Sequence, residues 1–401
     1  MQIDRERLWQ HLRFLCESIG PRLSGTPADE RAVAYIAAHF RGCGAEVEIQ
    51  DFPCPGWEHE STVLELLGNG PPVPLPAVAQ TFTEGCDVQA ELAVVGTRRE
   101  LEFRPDLEGR VLALVGPAAG GLTLDRNPGL LALEERRPAA VLVVCSGETV
   151  PTKLLRDPFL RVPAAAVPAA AGSALLQHVG PRRAVRLRIR ARRYASTGHN
   201  VIGRLPGFGP GRIVVGAHYD TAAGCMGATD DASGTAALLE LCHSFAAARR
   251  VRRGPALDLI AFGAEEYGRH LRALGSVEYV RRHPAHARAT VAAVQLDGVG
   301  TVAAEPRAHL LGWSAAARRG LLDVFARFAP YRVDEQEVLS SDHAAFFLNG
   351  VPAVALMDLC PAVPIHTPAD TMEYMDPDRL ALATETARAV VEHLAAGAGW
   401  W

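Results

Sequence analysis

The feature that most constrains this chain is a series of apolar, buried-type strands that alternate with helices after Thr197. The predicted strands span residues 212–217, 257–263, 291–296 and 351–357, and the predicted helices begin near Ser233, Ser276, Ala315 and Ser341. Such an alternation predicts an α/β fold with a mixed, mostly parallel central sheet flanked by helices.

Metal-ligating residue types follow these strands. They are His218 and Asp220 after the first strand, Asp230 and Asp231 in the next loop, Glu265 and Glu266 after the second, Asp297 after the third, and His366 beyond the fourth. Ligand sites of open α/β sheets lie at the carboxyl ends of strands. We therefore expect these side chains to meet at one rim of the sheet.

Two histidines and several carboxylates, without a cysteine, suit zinc or a related divalent ion. A carboxylate that bridges two ions, with one His and one acid for each, would make a two-metal site. A spare Glu beside a ligand Glu would serve as general base. Each of these motifs alone also fits a structural role. For example, Asp230 and Asp231 could cap the helix near Ser233. The hypothesis rests on their coincidence at the strand ends of one unit.

The sequence pattern of the 401-residue chain changes along its length and indicates two domains. Residues 5–42 predict two helices, and residues 45–52 alternate as a strand. In residues 53–193, short apolar runs are separated by Pro and Gly turns, and catalytic residue types are sparse. We predict a catalytic domain of residues 1–52 and 194–401, interrupted by a β-rich insert of residues 53–193.

The motifs also carry a resemblance. They are His218-Tyr219-Asp220, residues 227–234, Glu265-Glu266, Asp297, Ser341-Asp342-His343 and His366-Thr367 with Asp370-Thr371. In this order they resemble the co-catalytic zinc aminopeptidases of peptidase family M28. Residues 19–26 resemble the opening segment of that family, and the insert resembles a protease-associated (PA) domain around residues 109–115 and 138–144.

The resemblance implies the zinc exopeptidase fold, which is phosphorylase/hydrolase-like, with two Zn²⁺ as cofactors. Co²⁺ and Mn²⁺ stay open as the native metal. Asp230 would bridge both ions. His218 and Asp297 would complete the protein ligands of one ion, and Glu266 and His366 those of the other.

The resemblance also implies catalytic roles. Glu265 would take a proton from the attacking water and pass it to the leaving amine, and Asp220 would hold the His218 imidazole in the correct tautomer. Glutaminyl cyclases of this fold carry Glu at the position of Asp297, so Asp297 favours a peptidase.

Two departures from the family pattern stand out. Residues 269–274 intervene between the Glu-Glu turn and Gly275-Ser276, and their charged side chains could meet a substrate carboxylate or simply be solvated. Ile365 stands where several relatives have a tyrosine that stabilises the oxyanion. Tyr219, Tyr267 and Tyr374 are the alternative donors that the sequence leaves open.

The predicted activity is hydrolysis of N-terminal residues from peptides by a metal-activated water. A carboxypeptidase or dipeptidase on the same scaffold is the alternative within the enzyme class. A non-catalytic binding protein, as in the transferrin-receptor relatives of this fold, is disfavoured because all five ligands and the base are present.

The net charge and the cysteines limit which partners and which cellular compartment we expect. Lys plus Arg is 41 and Asp plus Glu is 45, a net charge of −4, which gives no whole-protein case for nucleic-acid or membrane partners. The arginines of residues 182–193 alternate with apolar residues, as on a strand with one solvated face. Eight scattered cysteines and the charged start lead us to expect a cytoplasmic protein, or a secreted one if a signal has been removed. We expect peptide substrates and leave the oligomeric state open.

Overall fold

The structure is a computed structural model. It describes residues 3–120, 128–155, 158–180, 183–248, 254–267, 273–302, 305–328, 331–334, 337–358 and 362–397.

The described helices are α1 Arg5–Arg13, α2 Pro27–Gly42, α3 Arg98–Phe103, α4 Pro117–Gly120, α5 Pro128–Arg136, α6 Ala169–Gln177, α7 Ser233–Ala248, α8 Leu274–Arg282, α9 Pro284–Ala289, α10 Ala315–Phe325, α11 His343–Phe347 and α12 Pro377–Ala396. The described strands are β1 Glu46–Leu67, β2 Val73–Leu75, β3 Val78–Ala79, β4 Cys86–Val95, β5 Val111–Leu114, β6 Ala140–Val144, β7 Ala164–Val167, β8 Ala184–Leu205, β9 Arg212–His218, β10 Ala256–Phe262, β11 Thr290–Leu296, β12 Arg307–Leu311, β13 Arg332–Asp334 and β14 Ala353–Leu356. Short helical turns lie at Phe14–Ile19, Pro105–Leu107, Ala228–Ala232 and Met372–Tyr374.

The chain forms two compact units. The first comprises Met1–Cys54, Thr197–Glu266 and Arg272–Trp401, and the second is built on Pro55–Ser196. These limits lie within a few residues of the predicted limits. Both β1 and β8 contain residues of each unit. That the second unit is a PA-like domain stays a prediction.

The sheet of the first unit has the strand order β13-β12-β14-β11-β9-β10 and ends on residues 201–205 of β8. Strands β10, β9, β11 and β14 are mutually parallel, whereas β12 and β8 are antiparallel to their neighbours β14 and β10. The predicted mixed, mostly parallel α/β sheet is confirmed.

Both faces of this sheet are buried, which explains the unbroken apolar runs. Val215 pairs in register with Leu259 on one side and Val294 on the other, and all three belong to the core that includes residues of α1, α2, α7 and α12. Its chain neighbour Val214 points to the opposite face and joins a second core with Tyr279 and Phe346. Each fully buried side chain of this kind contributes about 1.5–3 kcal/mol.

Helix starts follow local sequence signals. The Thr26 hydroxyl accepts a hydrogen bond from the Asp29 amide and Pro27 occupies the first turn of α2. Asp376 and Pro377 form the corresponding start of α12. Among the described helices, none combines the length and the apolar character that crossing a membrane requires.

In the second unit, strands β4, β5, β6 and β7 are parallel, β3 is antiparallel to β7, and residues 184–189 of β8 are antiparallel to β4. Short helices such as α3 and α6 accompany these strands, which the prediction of a β-rich insert did not include. Val185, Leu187 and Ile189 are buried, while Arg186 pairs with Asp87 at 2.8 Å, so the solvated arginine face of β8 is observed as predicted.

Candidate metal centre

The structure brings all seven predicted site residues to the carboxyl edge of the first unit's sheet. His218 ends β9, Glu265 and Glu266 follow β10, and Asp297 follows β11 directly. Asp220 lies two residues after β9, Asp230 lies in the turn Ala228–Ala232 before α7, and His366 lies between β14 and α12.

Two groups of potential ligands are present. His218, Asp231 and Asp297 each offer one ligand atom, and these atoms lie within 4.8 Å of one another. Asp230, Glu266 and His366 form the second group by the same measure. Five of these six residues are buried, and His366 is partly exposed.

Asp230 lies between the two groups. Its Oδ1 is 3.0 Å from His218 Nε2, and its Oδ2 is 3.0 Å from His366 Nε2. The other contacts are longer, since His218 Nε2 is 3.8 Å from Asp297 Oδ1 and His366 Nε2 is 3.3 Å from Glu266 Oε2. One carboxylate therefore faces two imidazoles with separate oxygens, which is the arrangement that a bridging ligand needs.

The electrostatics of the centre favour a bound cation. Burial acts to lower the pKa of His218, but hydrogen bonds to the surrounding carboxylates raise that pKa well above the usual range. Burial acts to raise the pKa of Asp230, but hydrogen bonds from the two histidine rings hold it well below its usual range. Positive charge is thus stabilised where the carboxylates converge.

The buried carboxylate oxygens of the two ligand groups also fit a bound metal ion. Asp297 Oδ1 and Asp231 Oδ2 are buried and have no hydrogen-bond partner among the described residues. Buried carboxylate oxygens are costly without a partner, and a metal ion would satisfy both. Imidazole and carboxylate donors without a thiolate suit zinc and similar divalent ions.

Asp220 links the histidine to the glutamate pair. On the side of the ring opposite Asp230, His218 Nδ1 is 3.2 Å from the Asp220 backbone carbonyl and 3.4 Å from the Asp220 Oδ1. The two carboxylate oxygens of Asp220 also accept hydrogen bonds from the amides of Glu265 at 3.1 Å and Glu266 at 3.2 Å. A single buried aspartate therefore orients one candidate ligand and fixes the backbone that carries two more functional side chains.

Glu265 has a different position from Glu266. It is buried with 6% exposure and belongs to neither ligand group. Ala264, the residue before it, has a φ of 55°, and His366 has a φ of 59°. Non-glycine residues rarely adopt this left-handed conformation, so the fold holds both backbones in strained positions beside the centre.

Asp231 is among the metal-ligating residue types noted in the sequence, but the predicted ligand set did not include it. Its Oδ1 accepts hydrogen bonds from the amides of Gly234 at 2.8 Å and Gly298 at 3.0 Å. It thus performs the helix-capping role considered for this pair, while its other oxygen stays available. Adjacent aspartates give no sequence signal that separates these roles.

Two further residues support the metal loop. Asp370 accepts hydrogen bonds from the amides of Thr229 at 2.9 Å and Asp230 at 3.1 Å. Arg22 is fully buried and donates to the carbonyls of Tyr219 at 2.5 Å, Met226 at 2.8 Å and Gly227 at 3.1 Å. Both lie in motifs that the sequence singles out, but no local pattern indicates what they hold.

The predicted oxyanion donors differ in their surroundings. The Tyr219 hydroxyl donates to the His199 carbonyl at 3.1 Å, and the Tyr267 hydroxyl donates to the Pro55 carbonyl at 2.6 Å. Tyr374 is half-buried. Residues 268–272, which include most of the inserted charged segment, lie outside the described residues.

Ser341, Asp342 and His343 do not form a catalytic triad, as predicted. Asp342 Oδ2 accepts a hydrogen bond from Gln295 at 3.4 Å, whereas His343 Nε2 lies 2.6 Å from the Val338 carbonyl. The acid and the imidazole therefore engage different partners.

Comparisons with known proteins find one matching family model and several similar proteins. The protein-family model described as "Peptidase family M28" matches residues 200–391. The chain is 27% identical to aminopeptidase YwaD of Bacillus subtilis (strain 168), over 94% of this chain and 82% of that protein. It is 26% identical to carboxypeptidase Q of Bos taurus, over 94% of this chain and 83% of that protein. Among solved structures, BSAP, a zinc aminopeptidase from Bacillus subtilis, matches with a TM-score of 0.80 at 24% identity, over 98% of this chain and 95% of that chain, and this likeness concerns the fold.

Proposed function

The chain is a metal-dependent exopeptidase with a catalytic domain of peptidase family M28, and we propose that it removes residues from the free amino terminus of peptides at a centre of two zinc ions. The observation that carries the proposal is Asp230, whose two oxygens each lie 3.0 Å from a different histidine.

In this proposal Asp230 would be a ligand of both ions. His218 and Asp297 would hold one ion, with Asp231 as a further ligand candidate beside them, and Glu266 and His366 would hold the other. When bound, the zinc ions supply Lewis acidity towards the scissile carbonyl and lower the pKa of water. The name of the similar zinc aminopeptidase supports zinc as the metal.

Glu265 is the proposed general base. Its carboxylate takes a proton from the attacking water as the new C–O bond forms at the scissile carbonyl. It then gives the same proton to the leaving amine as the C–N bond breaks, so the glutamate returns to its ionised state. Its buried position in the loop that also carries Glu266 favours this role.

Asp220 is the proposed positioning residue. With Nδ1–H of His218 directed at the backbone carbonyl and the carboxylate of Asp220, the Nε2 lone pair of that ring faces Asp230 and Asp297. Because Asp220 also accepts from the amides of Glu265 and Glu266, it fixes the base relative to the histidine.

A carboxypeptidase or dipeptidase is the second candidate, since carboxypeptidase Q is among the similar proteins. Hydrolysis of aminoacyl anilides with a free amine should be compared with hydrolysis of N-blocked peptides with a free carboxylate. We expect activity on the first set that a chelator abolishes. Activity on the blocked set alone would overturn the aminopeptidase proposal and favour the carboxypeptidase.

Two further expectations remain proposals. The compact unit built on Pro55–Ser196 supports an inserted PA-like domain of residues 53–193. None of the seven described cysteines forms a disulfide, which supports a cytoplasmic location.

A further inference from the structure

A third group of potential metal ligands lies outside the proposed catalytic centre. His11 on α1, His39 on α2 and His243 on α7 each offer one ring nitrogen, and these atoms lie within 4.8 Å of one another. The rings of His11 and His39 meet edge to face with centroids 4.6 Å apart. None of the three belongs to the ligand groups around Asp230.

The burial of this histidine cluster leaves polar atoms unpaired. His11 is 2% exposed, and its Nε2 has no hydrogen-bond partner among the described residues. The Nε2 of His243 is also buried and unpartnered within the described part of the chain. An unpaired buried ring nitrogen costs free energy, so two in one cluster call for a ligand.

Tyr35 determines how His11 can act. Its hydroxyl oxygen is 2.8 Å from His11 Nδ1. When Nδ1–H donates to this oxygen, the Nε2 lone pair is free to bind a metal ion. A histidine ligand that donates its second ring N–H to an oxygen is the usual pattern at metal sites.

The charges around the cluster are compatible with a divalent ion. The positive charge of Arg7 is offset by Glu240, whose Oε2 is 2.7 Å from Arg7 Nε.

We propose that His11, His39 and His243 bind one divalent transition-metal ion of the Zn²⁺ class, separate from the catalytic centre. Three imidazoles with no carboxylate suit zinc, copper or nickel rather than Mg²⁺ or Ca²⁺, which prefer oxygen ligands. A fourth position is left for water or another small ligand.

The role of the site is structural. His11 and His39 precede the Pro55–Ser196 unit in the chain, whereas His243 follows it. An ion held by all three ties the N-terminal helices to α7 within the first unit and closes a loop of more than 200 residues between His39 and His243. Binding to the folded chain alone stabilises it by mass action.

The test counts ions in the full chain. Wild type, His39→Ala and the control His59→Ala, which changes an exposed histidine of the second unit, are loaded with Zn²⁺, separated from free metal and measured by elemental analysis. We expect His39→Ala to hold one ion fewer than wild type and His59→Ala to hold the same number. Anilide hydrolysis at low temperature should stay close to wild type in both, and Mg²⁺ should not replace Zn²⁺ at the lost position.

A milder variant guards against misfolding. Tyr35→Phe keeps all three imidazoles and removes only the oxygen that orients His11, so the affinity of this ion should fall about 10–100-fold. Equal ion counts in wild type and folded His39→Ala, together with unchanged affinity in Tyr35→Phe, would overturn the inference and identify the cluster as aromatic packing. That outcome would leave the proposed catalytic centre untouched, because the difference from wild type does not depend on the ions held there.

Discussion

Asp370→Asn tests how the fold holds the bridging carboxylate. The two oxygens of Asp370 accept hydrogen bonds from the amides of Thr229 at 2.9 Å and Asp230 at 3.1 Å, and the residue is fully buried. Asparagine keeps one of these acceptors and turns an N–H₂ group towards the other amide. One buried backbone N–H then loses its partner in the turn that carries Asp230.

The size of the effect follows from this geometry. A buried donor without a partner costs about 1–3 kcal/mol. If that cost appears as displacement of Asp230, metal affinity falls roughly 5–150-fold, because about 1.4 kcal/mol corresponds to tenfold. Zinc affinity is measured by competition with a chromophoric chelator, and anilide hydrolysis is followed as free zinc is raised. We expect turnover to recover towards wild type at saturating zinc.

Asp358→Asn is the matched control. Asp358 is also buried and accepts from two backbone amides, those of Gly300 at 2.8 Å and Arg307 at 3.0 Å. Burial raises the pKa of both Asp358 and Asp370 to about 6, so the chemical change is the same in the two variants. Equal zinc affinities in the two variants would refute the proposed role of Asp370.

Three further predictions concern residues around the centre. Arg22→Met leaves several buried carbonyls without a donor and should lower the free energy of unfolding by about 3 kcal/mol or more, measured by urea unfolding; a loss below about 1 kcal/mol would contradict it. Gly227→Ala should weaken zinc binding at least about tenfold, because a Cβ there would lie 2.4 Å from the Asp230 carbonyl, whereas Gly350→Ala, also at positive φ but in open space, should not. Burial raises the pKa of Asp29 to about 7, so the folded chain keeps a proton that the unfolded chain releases near pH 4, and this group's stabilisation falls as pH rises from about 4 to about 7. Asp29→Asn should remove that fall in urea unfolding at about pH 5 and about pH 8, and an unchanged pH profile would argue against it.

The sheet and its functional edge could be predicted because both depend on local patterns. Unbroken apolar runs mark strands covered on both faces, and β9, β10 and β11 lie within a residue or two of their predicted limits. Polar residues directly after such strands must lie at one edge, which brings His218, Glu266 and Asp297 together.

The supports of the centre could not be predicted because they depend on distant contacts. Asp370 meets the Asp230 amide across 140 residues, and Arg22 meets the Tyr219 carbonyl across 197. Whether Asp230 or Asp231 faces both histidines depends on the direction of the backbone within a turn that has non-helical dihedral angles. The helices of the second unit are short, so their periodicity in the sequence is weak.

The central claim is that Glu265 moves the proton while other residues hold the metal. The most direct test is the steady-state turnover of an aminoacyl anilide by Glu265→Gln that carries the same zinc content as wild type. Glutamine keeps the size of the side chain and removes its basicity, so we predict a loss of about 10²–10⁴-fold in kcat. Turnover within about tenfold of wild type at equal zinc content would contradict the account.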